Sequence, residues 1–124
     1  MKLTLPYPPT VNTYWRNVGR RVLISRTGRA YKAIVASLAT VARVRPIDGP
    51  VRLTIDVYRP RKAGDLDNIL KAALDSVKGF LFHDDAQVID IRARRFDDKD
   101  NPRAEIEAEP AMPAQRPPAG GEER

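Results

Sequence analysis

Asp65 and Asp67 flank Leu66 where a loop of basic residues gives way to helical spacing, and a second acidic pair, Asp84-Asp85, follows later in the chain. With Asp65 as N-cap and Asp67 in the first turn, the two carboxylates can converge on one cation. Asp85, just before a strand, is a natural third ligand. Hard divalent ions such as Mg²⁺ take oxygen ligands of this kind, usually one or two carboxylates completed by water and phosphate. Taken singly, each acid has a plainer explanation, because Asp is a common N-cap and suits the positive end of a helix dipole. Lys71, four residues after Asp67 and four before Asp75, reads by itself as ordinary helix-surface pairing.

Competing chemistries fit less well. A calcium loop starting at Asp65 would place Ile69 at a ligand position and Leu70 where glycine is required. A phosphatase-type Asp-x-Asp nucleophile follows an apolar strand, whereas Arg61-Lys62-Ala63-Gly64 precedes this one. His83 is the only histidine and reads as a surface residue. No serine carries a nucleophile motif and no glycine-rich loop is present to cradle phosphate. The chain has no cysteine, which removes disulfides, thiolate metal sites and a cysteine nucleophile.

The 124 residues allow one domain with a modest core. Formal charge is +6 and unevenly spread. Residues 1–49 hold nine Lys/Arg against Asp48 alone, whereas residues 50–109 hold eleven basic and thirteen acidic residues. A basic surface beside a compact acidic site suits a polyanionic partner, with cations gripping phosphates and carboxylates holding metal. No apolar run reaches the length of a membrane span and the N-terminus shows no signal-peptide core, so a cytoplasmic protein without membrane association is expected.

Several elements must position these residues. Lys2 to Leu5 reads as a strand, Asn12 to Arg21 as loop, and Arg21 to Ser25 as a further short strand. A helix is predicted over 28–44, capped by Ser25 or Thr27, with Ala30, Ile34, Leu38 and Val41 on its apolar face and Arg29, Lys32 and Arg43 on another. Val51 to Tyr58 alternates as a strand. Leu66, Ile69, Leu70, Ala73, Leu74 and Val77 recur at helical spacing, and Gly79 ends that helix. Gln87 to Phe96 forms a strand with Ile89, Ile91 and Ala93 on one face, Asp97 to Pro102 a hairpin turn, and Ala104 to Glu109 the final strand. The expected fold is α+β, a single small domain over 1–109 with a mixed sheet and two main helices packed on it. The Pro/Gly-rich segment 110–124 is expected to be a disordered tail.

The run Asp65-Leu66-Asp67-Asn68-Ile69-Leu70-Lys71-Ala72-Ala73-Leu74-Asp75, then Gly79-Phe80 and Asp84-Asp85-Ala86-Gln87-Val88, closely resembles the RusA-type Holliday-junction resolvases. Leu5-Pro6-Tyr7-Pro8-Pro9, Asn12 and Tyr14-Trp15-Arg16 resemble the start of that family, so the likeness covers roughly residues 3–109. It implies that Asp65, Asp67 and Asp85 are metal-binding catalytic carboxylates and that Lys71 is an essential lysine at the scissile phosphate. Asn68, Asp84 and Gln87 match motif positions and are taken as supports that orient the ligands. The resemblance further implies a homodimer that nicks symmetrically opposed strands of a four-way junction, leaving 5′-phosphate and 3′-hydroxyl ends, in DNA recombination and repair. Arg61-Lys62-Ala63-Gly64 is less basic than the corresponding loop of better-known members, which bears on DNA affinity.

The mechanism expected is Mg²⁺-dependent phosphodiester hydrolysis, with Mn²⁺ as a substitute ion. Arg16, Arg20, Arg21, Arg26, Arg29, Lys32, Arg61 and Lys62 are candidate phosphate contacts. Tyr14 and Trp15 either stack on bases opened at the crossover or anchor the N-terminal loop to the core. Two other readings stay open: a non-catalytic nucleic-acid-binding domain whose acids only cap helices, and a nuclease that prefers flaps or plain duplexes.

Overall fold

The computed structural model describes residues 1–60 and 66–112. Its elements run β1 (Lys2–Pro6), α1 (Val11–Tyr14), β2 (Trp15–Val18), β3 (Arg21–Ile24), α2 (Arg26–Ala42), β4 (Val51–Arg59), α3 (Leu66–Val77), β5 (Val88–Asp97) and β6 (Arg103–Pro110), with a 3₁₀ turn at Asp85–Gln87 before β5. One four-stranded mixed sheet has the order β1-β6-β4-β5, and β2 and β3 form a separate two-stranded ribbon. The α+β class and the two main helices are therefore as expected. Of the tail expected from Pro110, that residue ends β6, and 113–124 lie outside the described residues, as do Arg61, Lys62 and Asp65.

Alternation along the strands sorts the sheet into two faces. Leu53, Ile55 and Val57 of β4 align with Ala108, Ile106 and Ala104 of β6, and the last two align in turn with Leu3 and Leu5 of β1. All of these are buried against the helices. The other face is charged and internally paired: Arg94 donates two hydrogen bonds to Asp56, and Arg52 lies near Asp90 and Glu109. A face neutralised in this way needs no cover, so the helices collect on one side.

Two expectations about strands need correction. Residues 97–102 do not form a hairpin, because β5 and β6 lie on opposite flanks of β4, β5 parallel to it and β6 antiparallel. The connection crosses the end of β4, where the Asp98 amide donates to the Arg59 carbonyl and Arg59 pairs with Asp97 at 3.0 Å. Asn12 to Arg21 is likewise not all loop, since it contains α1, β2 and the turn into β3.

Helix α2 begins where the sequence allowed, with Ser25 as N-cap accepting from the Gly28 amide at 3.0 Å. Its buried face differs from the one expected. Gly28, Tyr31, Val35 and Ala39 point inward, while Ile34 and Val41 are exposed. The inward row is selected by contacts that periodicity cannot register. The Tyr31 hydroxyl donates to the Pro6 carbonyl at 2.6 Å, and Gly28 packs directly against the Tyr14 carbonyl. Any Cβ at residue 28 would overlap that carbonyl oxygen and approach Ile24 Cγ2 to 2.8 Å. Replacing Gly28 with Ala is expected to destabilise the domain by about 1–3 kcal/mol, as overpacking does. Thermal denaturation should show a midpoint lowered by several degrees, and an unchanged midpoint would contradict this close approach.

Candidate active site

Helix α3 carries most of the site and is held by one apolar face. Ile69, Ala72, Ala73, Ser76 and Val77 are buried, with Leu66, Leu70 and Leu74 packed at the margin. Asp67, Asn68 and Lys71 occupy the exposed side, with Asp67 and Lys71 one turn apart. Gly79 stops the helix region as expected, at φ +90°, a conformation that side chains with a Cβ rarely adopt.

Asp85 is delivered from the other side by a turn anchored at several points. Leu81 and Phe82 are fully buried, and the Ile47 amide donates to the Leu81 carbonyl at 3.0 Å. Asp84 caps the 3₁₀ turn and forms a capping box with Gln87. The Gln87 side-chain oxygen accepts from the His83 and Asp84 amides, while its amide nitrogen donates to the carbonyls of Ile47 and Gly49 at 2.6 and 2.8 Å. Four hydrogen bonds from one side chain thus tie the Asp85 turn to the segment that leads into β4. Lys78 lies 3.7 Å from both the Asp84 and the Asp85 carboxylates. His83 is exposed and bonded to Asp48, a surface position as expected.

Lys71 and Asp85 both line one cavity of about 280 Å³, together with Trp15, Leu74, Asp75, Val88 and Ile91. The Lys71 ammonium stands 5.9 Å from the centroid of the Trp15 ring, a weak cation–π contact. The pairing expected between Lys71 and Asp75 does not form. Asp75 instead accepts a 2.7 Å hydrogen bond from the Tyr14 hydroxyl and lies 3.7 Å from the Lys32 ammonium, both at Oδ2. Among the described residues Lys71 pairs with no carboxylate.

Tyr14 and Trp15, taken together in the sequence, separate here. Tyr14 is completely buried and cannot meet a base, so it has the anchoring role. Burial and the neighbouring Asp75 carboxylate push its phenol well above the ordinary tyrosine value, so it remains a donor throughout the neutral range. Trp15 is half-buried and open to the cavity. The sequence signal for Asp75 and Trp15 as site residues was weak, because one resembled a helix-surface charge and the other a loop anchor.

The candidate phosphate contacts divide in the same way. Arg16, Arg20, Arg21, Arg26 and Arg29 are exposed on the β2–β3 ribbon and the first turn of α2. Lys32 is instead turned inward, donating to the Asp75 carbonyl at 3.3 Å. Among the described residues no three potential metal ligands gather into one cluster. Asp67 on the exposed side of α3 and Asp85 on the 3₁₀ turn are the described members of the expected ligand set, and Mg²⁺ binds through one or two carboxylates and keeps several waters. No helix among the described residues is long and apolar enough to cross a membrane.

Comparison with known proteins extends this picture. The family described as Endodeoxyribonuclease RusA matches residues 6–109. The crossover junction endodeoxyribonuclease RusA of Escherichia coli (strain K12) is 40% identical over 93 residues, covering 73% of this chain and 78% of that protein. The crossover junction endodeoxyribonuclease of Enterobacteria phage HK97 is 39% identical over 104 residues, covering 76% and 81%. That of Enterobacteria phage 82 is 39% identical over 93 residues.

Proposed function

Because the chain belongs to the RusA endodeoxyribonuclease family, we propose that it is a crossover-junction endodeoxyribonuclease that resolves four-way DNA junctions by paired nicks. The observation that carries this reading is that Lys71 and Asp85 line one cavity, with Asp67 one helical turn from Lys71 on α3. Among the described residues Lys71 pairs with no carboxylate, and such a cation beside candidate metal ligands suits phosphodiester hydrolysis and has no use in a domain whose acids only cap helices.

In this reading Asp65, Asp67 and Asp85 hold Mg²⁺, or Mn²⁺ in its place. The bound ion supplies Lewis-acid charge and an activated water. Lys71 stabilises charge that builds on the phosphoryl oxygens, and with no ion-pair partner among the described residues it is available for that task. Asp84 and Gln87 keep the Asp85 turn in place through their capping and cross-segment bonds, a support of the kind that orients metal ligands. Asn68 stands beside Asp67 on the exposed face of α3 and supports the same ligand set. Arg16, Arg20, Arg21, Arg26 and Arg29 position the DNA by phosphate contact, with Arg61 and Lys62 added from the loop before α3. Lys32 has a structural task instead, bracing Asp75. Action on DNA fits a cytoplasmic protein.

Paired nicks require two sites, so the functional unit is a homodimer. Exposed Ile89 on the edge strand β5 supplies apolar surface that a second copy can cover. Sedimentation should report twice the 13.9 kDa chain mass, and a monomer that still makes paired nicks would remove this part of the reading.

Purified protein with Mg²⁺ should nick a synthetic four-way junction symmetrically and leave a flap and a matched duplex intact. Cutting of the flap or duplex would favour a broader nuclease, and no cutting at all a binding protein. Asp67→Asn should abolish nicking while junction binding persists, and normal turnover in that variant would exclude Asp67 from the site. Lys71→Ala should slow nicking by roughly 10²–10³-fold, the scale of losing one transition-state charge stabiliser, with a much smaller change in junction affinity. An unchanged rate would return Lys71 to the status of a surface charge.

A further inference from the structure

The cavity beside Asp85 holds more than the hydrolytic chemistry uses. Its walls are Trp15, Leu74, Val88 and Ile91, and its polar groups are Lys71, Asp85 and Asp75. At about 280 Å³ it falls just below the range of roughly 300–1,000 Å³ common for drug-sized ligands, so it suits one flat ring system rather than a base pair. Asp75 has no part in metal binding or phosphate contact in the mechanism above. It is nevertheless held firmly. Tyr14 and Lys32 both engage Oδ2, and among the described residues Oδ1 has no partner. A carboxylate pinned at one oxygen and free at the other, in an aromatic and aliphatic pocket, is built to accept a hydrogen bond from a ligand.

We propose that this cavity receives an unpaired nucleobase adjoining the scissile phosphate, stacked against Trp15 and read through the free Oδ1 of Asp75. The inference rests on the resolvase reading, because it takes the occupant to come from the DNA that Lys71 and Asp85 act upon. An enzyme that cuts at a strand crossing meets bases with disturbed pairing, and aromatic side chains stack on unpaired bases of any sequence. Stacking alone does not discriminate, and the carboxylate adds discrimination. An acceptor-only group favours bases whose edge presents an exocyclic amino group, as carboxylates do when they accept from cytosine. Adenine, cytosine and guanine carry such a group, whereas an unpaired thymine offers a carboxylate only its N3–H, set between two carbonyl oxygens that repel a second acceptor. Asp75 is therefore a specificity residue, and Tyr14 a positioning residue that acts through it.

The test uses four synthetic junctions that differ only in the nucleotide flanking the mapped nick. Wild-type kcat/KM should be roughly tenfold or more lower for thymine than for the best amino-bearing base, the discrimination expected of one good base contact. Asp75→Asn should erase or invert that ranking. The Asn oxygen would take the Tyr14 hydrogen bond, leaving its amide nitrogen to offer donors toward the carbonyls of thymine. If Asp75→Asn fails to fold, Tyr14→Phe serves instead, keeping the carboxylate but releasing its anchored oxygen, and should shrink the discrimination severalfold. Competition binding in EDTA should give the same wild-type ranking without any chemistry. Equal cutting of all four junctions by the wild type would overturn the pocket while leaving the resolvase reading intact. A ranking unchanged in the folded variant would do the same. Failure to cut any junction would overturn both.

Discussion

Tyr14 is the residue on which the arrangement depends. Its ring is completely buried, its hydroxyl donates to Asp75 on α3, and its carbonyl accepts from both the amide and the hydroxyl of Ser25 at the start of α2. Gly28 then packs against the same carbonyl. One residue therefore fixes the N-terminal segment, the origin of α2 and the last turn of α3 relative to one another. Burying a phenol without a partner for its hydroxyl costs on the order of 1–3 kcal/mol, so the bond to Asp75 is a condition of this packing.

That constraint also decides the state of Lys71. An exposed lysine and aspartate one turn apart on a helix gain only about 0.3–0.5 kcal/mol from pairing. A hydrogen bond to a charged group, shielded by an aromatic ring, contributes about 1.5–3 kcal/mol. Tyr14 and Lys32 therefore win Asp75, and among the described residues Lys71 faces the cavity without a counter-ion. The ordering of these two energies turns an unremarkable run of helix-surface charges into a candidate site whose lysine is not paired to its helix neighbour.

Much of this was legible before the fold was known, and the parts that were not share a cause. The Ser25 cap and the Gly79 stop follow from local chemistry, which a sequence carries directly; the acidic motifs were candidates on the same ground, and Lys71 was singled out by the family resemblance alone. The inward face of α2 was not legible in this way. Of the expected stripe Leu38 does pack against the core while Ala30, Ile34 and Val41 face solvent, and the contact with Tyr14 and the bond to Pro6 centre the buried face on Gly28, Tyr31, Val35 and Ala39. The supposed hairpin at 97–102 failed for a related reason. Two alternating strands joined by a short polar turn resemble neighbours, and nothing local reveals that β4 lies between them. Asp75 became visible as a site residue, and Trp15 was separated from Tyr14, only when a cavity joined elements far apart in sequence.

The place of β6 has a consequence for how the protein comes into being. Of the strands described it is last in sequence, yet it lies between β1 and β4, and its Ala104 and Ile106 each align with a core residue on both neighbours. Until Arg103–Pro110 has been synthesised, β1 has no strand to join and the apolar face beneath the helices stays open. The acidic motifs, the lysine and the tryptophan leave the ribosome earlier, without a platform to hold them in register. Long-range pairings of this kind form late and slowly. A nascent chain therefore carries every residue of the candidate site for some time before the sheet that holds it can form.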